Sequence, residues 1–135
     1  ANFDGKNWPD CGEIDIMEYV GKEPDLIMGT AHGPGYSGAL GLGQWNRQKY
    51  NIADDFHTYA IEWQAGQVKW FYDGAEYFTL TRADVGDRPW VFDQPFFIIL
   101  NLAVGGTLGG VIGLDTVFPA QYQVDYVRVF QPVTP

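Results

Sequence analysis

Residues 59–80, YAIEWQAGQVKWFYDGAEYFTL, constrain the fold more than any other stretch of this chain. Tyr59, Ile61 and Trp63 alternate with Ala60 and Glu62, a period of two that a helix does not show. "QAGQ" breaks the run, and Asp73-Gly74 breaks it again. Asp-Gly between alternating apolar runs is a strong hairpin signal. Residues 56–80 are therefore expected to form a three-stranded antiparallel meander. Such a ribbon has one apolar face and needs a second layer to cover it.

The rest of the chain offers that layer. Residues 11–20 read as a strand, and Leu26–His32 as another after a "GKEPD" turn. The Gly-rich stretch 33–45, GPGYSGALGLGQW, reads as a loop over a surface. "TRADVG" at 81–86 reads as a single helical turn. The near-continuous apolar run 95–106 reads as a central strand buried on both faces, and 123–131, QVDYVRVFQ, as a closing strand. The expected fold class is all-β: an antiparallel β-sandwich of two sheets packed face to face, a single domain over residues 1–135 without repeat or linker.

Charge narrows the function. Eight Lys and Arg stand against seventeen Asp and Glu, a net charge of −9. That balance disfavours phosphate backbones and anionic membranes, so neither nucleic acid nor membrane is an expected partner. Five Trp, eight Tyr and nine Phe supply a core, and in an acidic protein they also suit flat, neutral ligands such as sugars. Cys11 is the sole cysteine, which excludes an internal disulfide and suggests a small buried side chain. The longest apolar run, 95–106, is interrupted by Asn101 and is too short to span a bilayer. The chain starts at Ala1 rather than Met, which reads as a processed or excised product.

The candidate chemistry lies in "GEIDIMEYVG", residues 12–21. Glu13 and Asp15 are two apart and share a strand face, while Glu18 is three beyond Asp15 and would face the other way. One extra residue, a β-bulge at Ile16 or Met17, returns Glu18 to their face. Four strand steps then separate Glu13 from Glu18, roughly 13 Å between Cα atoms. Side chains leaning together shorten that to about 5–6 Å between carboxyl groups, the spacing of a retaining glycosidase. Three carboxylates on one face cannot all ionise cheaply, so the cluster is expected to titrate as a unit with one member protonated near neutral pH. The bland readings are a solvated strand face or a calcium site.

"WPDCGEIDIMEYVG" resembles the catalytic strand of the laminarinase branch of glycoside hydrolase family sixteen, which carries the extra Met that the lichenase branch lacks. "FHTYAIEW", "NLAVGG" and "VDYVRVFQ" resemble the same branch in the same order. The resemblance implies a concanavalin-like β-jelly roll and endo-hydrolysis of β-1,3-glucan by a retaining double displacement. It implies Glu13 as nucleophile, Glu18 as general acid/base and Asp15 as a carboxylate hydrogen-bonded to the nucleophile. It implies Trp8 beneath a sugar, and His32 facing the cleft near the acid/base. Asn101 would hold a sugar hydroxyl or a catalytic carboxylate, against a plain core hydrogen bond. Trp45, Tyr36 and Trp90 are further stacking candidates. Asp125 would match a structural calcium ligand on the convex side; no cofactor is needed for the chemistry. Secretion is expected.

In one respect the chain departs from the family pattern. Catalytic domains of this family are about twice as long, with the acidic strand near the middle. The reading is therefore of a C-terminal portion lacking the N-terminal strands. A companion polypeptide or self-association is expected to complete the sheets, since open edges are a liability. Three alternatives stand: a non-hydrolytic β-glucan-binding module, a structural β domain, and a hydrolase of another β-linked polymer such as mixed-linkage glucan or agarose. Two intact glutamates favour an enzyme over a binder.

Overall fold

The computed structural model describes residues 5–132. The chain divides into two compact units, residues 1–97 and 98–135, and all six strands lie in the first. Strands β1 (Glu13–Tyr19), β2 (Leu26–His32) and β3 (Leu42–Arg47) form one antiparallel sheet in that order. Strands β4 (Tyr59–Gln64), β5 (Gln67–Tyr72) and β6 (Ala75–Thr81) form the other. The second sheet is the meander that alternation and Asp-Gly predict. Asp73 and Gly74 both take positive φ, 48° and 79°, as a two-residue turn matched to strand twist requires. Residues Arg82–Val85 make the expected helical turn, a 3-10 turn in which Thr81 and Asp84 cap each other.

The two sheets pack through their apolar faces. Ala31, Val68, Trp70, Leu80, Val85, Phe92 and Tyr36 form the core, with Ile14, Leu42, Ile61 and Phe78 against it. Trp70 is fully buried, an amount of apolar surface that stabilises by about 2–3 kcal/mol. It fits because β2 carries Gly29 beneath it: a Cβ there would lie 2.4 Å from Trp70 Cδ1. A smaller cluster of Ile27, Ile52 and Tyr72 continues the interior, covered by Met17, Tyr19 and Tyr59.

Three expectations need correction. The Gly-rich stretch 33–45 is not all loop: after a 3-10 turn at Gly38–Leu40, residues Leu42–Arg47 pair with β2 along its length. Its glycines are accommodated because β2 supplies the ladder. Residues 95–106 and 123–131 are not strands. Among described residues the second unit has one short helix, Gly106–Gly109, and no strand. Apolar sequence reports a tendency to be buried, but a strand also needs a neighbour to bond, and these stretches form no ladder. No helix among the described residues is long and apolar enough to cross a membrane.

Candidate active site

The register of β1 against β2 shows the predicted bulge. Asp15 pairs with Thr30 and Glu18 with Met28, so β1 advances three residues while β2 advances two. Glu13 sits opposite His32, Asp15 opposite Thr30 and Glu18 opposite Met28, which puts all three acids on one face. Ile14, opposite Ala31, goes to the other face and into the core. The core also supports the bulge: the Trp70 indole N–H reaches across from β5 and donates to the Asp15 carbonyl at 2.9 Å.

Each carboxylate has its own partner. Trp8 Nε1 donates to Glu13 Oε2 at 2.7 Å. Asp15 Oδ2 lies 3.2 Å from His32 Nε2. Thr30 Oγ1 donates to Glu18 Oε2 at 2.8 Å. The resemblance implies a hydrogen bond between Asp15 and Glu13; the ion-pair partner of Asp15 here is His32, which sits opposite Glu13 and two residues beyond Thr30, the residue opposite Asp15.

The environments separate the groups. Burial pushes the Glu18 carboxyl up from its ordinary value; the Thr30 hydroxyl opposes this, and the Asp15 charge adds to it. His32 is also pushed up, first by its hydrogen bond to Asp15, with burial opposing. The face thus holds a half-buried carboxyl biased toward keeping its proton, beside a carboxylate–imidazole pair. That is the division of labour general acid chemistry uses.

Other candidates are placed as follows. Trp8 is half exposed, and its ring stands 6.2 Å from that of His32. Trp45 lies opposite Met28 on β3 and so shares the acid-bearing face; it is half exposed and open to stacking. Tyr36 does not belong to the site. It is fully buried, donates its hydroxyl to the Pro89 carbonyl at 2.8 Å and packs edge-on to Phe92. A stacking role needs an exposed ring, and this one is turned into the core beside the Gly33–Tyr36 turn. Trp90 packs on the core, and its indole N–H is held by Asp93 at 2.7 Å. Asn101 and Asp125 lie in the second unit, exposed and outside regular structure.

Two participants escaped the sequence reading. Thr30 could have been found by alternation, because it precedes His32 by two and shares its face. Trp70 carried no such signal, since its contact crosses between sheets.

Among described residues, Glu13, Asp15 and His32 are the one cluster of three side chains whose ligand atoms lie within 4.8 Å of one another. Within it, Glu13 accepts from Trp8 and Asp15 pairs with His32. Asp125 belongs to no such cluster. Calcium takes roughly six to eight oxygens, backbone carbonyls among them, so a calcium site at Asp125 would need ligands beyond this one carboxylate.

Comparison with known proteins shows what the chain is similar to. The family model "Glycosyl hydrolases family 16" matches residues 3–128. A beta-glucanase of Rhodothermus marinus is 47% identical over 131 residues, covering 92% of this chain and 46% of the relative. The endo-beta-1,3-glucanase structure from Pyrococcus furiosus superposes with a TM-score of 0.79 at 45% identity, over 86% of this chain and 45% of that one. The laminarinase catalytic domain of Thermotoga maritima MSB8 superposes with a TM-score of 0.79 at 43% identity, over 85% and 47%. The chain spans less than half the length of these relatives.

Proposed function

This chain belongs to glycosyl hydrolases family 16, and from that premise we propose that it hydrolyses β-1,3-glucan internally, with retention at the anomeric carbon. One observation carries the reading: the bulge between Asp15 and Glu18 gathers Glu13, Asp15 and Glu18 on a single face.

In the first step the Glu13 carboxylate attacks the anomeric carbon. Glu18, protonated, gives its proton to the glycosidic oxygen as the C–O bond breaks and the electron pair goes to that oxygen. A glycosyl–Glu13 ester results. In the second step Glu18, now a carboxylate, takes a proton from water, and the water oxygen displaces Glu13. Trp8 steadies Glu13 through its indole N–H. His32 pairs with Asp15 and sits opposite Glu13, which fixes the orientation of the Asp15 side chain beside the nucleophile. Trp8 and Trp45 offer faces for glucose rings. The net charge of −9 favours a neutral glucan over a sulfated polymer.

The test is reducing-sugar release from laminarin and from lichenan. Glu13→Gln and Glu18→Gln should each cut turnover by about a thousandfold or more with the fold kept. Near-full activity in either variant overturns the assignment. Lichenan hydrolysed faster than laminarin would move the substrate to mixed-linkage glucan.

Two further parts belong to this reading. A polymeric substrate of this kind goes with secretion. Strand β1 is a sheet edge among the described residues, and we assign that edge to a strand from a companion polypeptide or a second copy. Native mass spectrometry of the active species checks this: a lone 135-residue chain with full activity would refute it.

A further inference from the structure

We infer that Thr30 is a positioning residue for the acid/base step: its hydroxyl holds Oε2 of Glu18 and leaves Oε1 as the oxygen that carries and delivers the proton. The inference rests on reading Glu18 as the acid/base.

A carboxyl group has two oxygens, and one of them must face the leaving oxygen of the substrate. Thr30 is buried on β2, with Oγ1 2.8 Å from Glu18 Oε2. An oxygen that already accepts a hydrogen bond is a poorer seat for a proton, so the proton resides on Oε1. When Oε1 protonates the glycosidic oxygen, charge develops on the carboxylate and the Thr30 hydrogen bond strengthens. When the second step returns a proton from water, it returns to Oε1.

Strand β3 is shaped to allow this. Gly43 lies opposite Thr30, and a Cβ there would stand 2.9 Å from Thr30 Oγ1 and 2.6 Å from the Gly29 carbonyl. A Cβ at Gly41 would stand 2.8 Å from Thr30 Cγ2 and 2.3 Å from His32 Cε1. Side chains at those positions would displace both β2 residues that bond the acids.

The titratable groups acting on Glu18 are Asp15 and Glu13 from β1 and His32 from β2. Across the sheet, Gly43 and Trp45 of β3 carry no titratable group. Against the burial that favours the neutral acid, the Thr30 hydrogen bond is the largest opposing influence. Removing it raises the Glu18 pKa, so the alkaline limb of activity moves up in pH.

The experiment compares pH–rate profiles on laminarin for the wild type, Thr30→Val, Thr30→Ser and Glu18→Gln, together with a carboxyl NMR titration of Glu18. Thr30→Val should move the alkaline limb and the NMR midpoint up by about one unit. It should lower kcat roughly tenfold with little change in KM, as loss of orientation rather than of substrate binding does. Thr30→Ser restores the hydroxyl and should restore both readouts. A folded Thr30→Val variant with an unmoved limb and midpoint, beside an inactive Glu18→Gln, overturns this inference alone. Activity surviving in Glu18→Gln overturns the parent reading and this inference with it.

Discussion

Glu18 shows how burying one ionisable residue can weaken a fold. Its carboxyl is pushed up by burial, so the folded protein holds that proton more tightly than the unfolded chain. Below the unfolded value both states are protonated and burial adds no charge penalty. As pH rises through the folded value, the buried group must ionise and stability falls. Glu18→Gln should therefore raise Tm near pH 7 and leave it unchanged in acid, as scanning calorimetry at the two pH values would reveal. His32 is a base held above its ordinary value by Asp15. Its contribution is fully present below the unfolded value, about 6.5, and is lost as pH rises through the folded one. In His32→Gln, that decline of Tm across neutral pH should flatten.

At the scale of elements, the bulged strand depends on the sheet behind it. Trp70 buries its ring over Gly29 and donates to the Asp15 carbonyl, so packing and bulge are set together. Gly29→Ala would put a methyl 2.4 Å from Trp70 Cδ1 and 2.5 Å from the Tyr77 hydroxyl. We expect a loss of about 1–3 kcal/mol in urea unfolding, together with reduced turnover. Trp70→Phe keeps most of the packing and removes the donor. It should cost about 1–3 kcal/mol through the carbonyl left unpaired, and lower kcat more than KM. A Trp70→Phe variant as stable and active as the wild type would show that the bulge holds itself.

Over the whole molecule, the acidic balance bears on what reaches the site. A neutral glucan feels no long-range field from a protein of net charge −9, so its KM should stay within about twofold as ionic strength rises. A sulfated polymer would bind more tightly as salt screens the repulsion. Steady-state kinetics on laminarin across a salt series separates the two. Strong salt dependence on laminarin would mean that charge, rather than ring stacking, draws the substrate in.

The sequence by itself determined the meander, through strict alternation around Asp73-Gly74, and the bulge, through the slip in spacing between Asp15 and Glu18. Both are local: strand period and turn chemistry are written in consecutive residues. It also carried the family resemblance, in the motif around Glu13 and Glu18. The tertiary structure alone decided that Tyr36 is core, that residues 42–47 are a strand, and that His32 holds Asp15 and Thr30 holds Glu18. It also decided that residues 95–106 and 123–131 form no ladder. Each of these turns on which distant residue lies alongside, and a hydrogen bond or a packed ring needs both partners in place before either can be assigned.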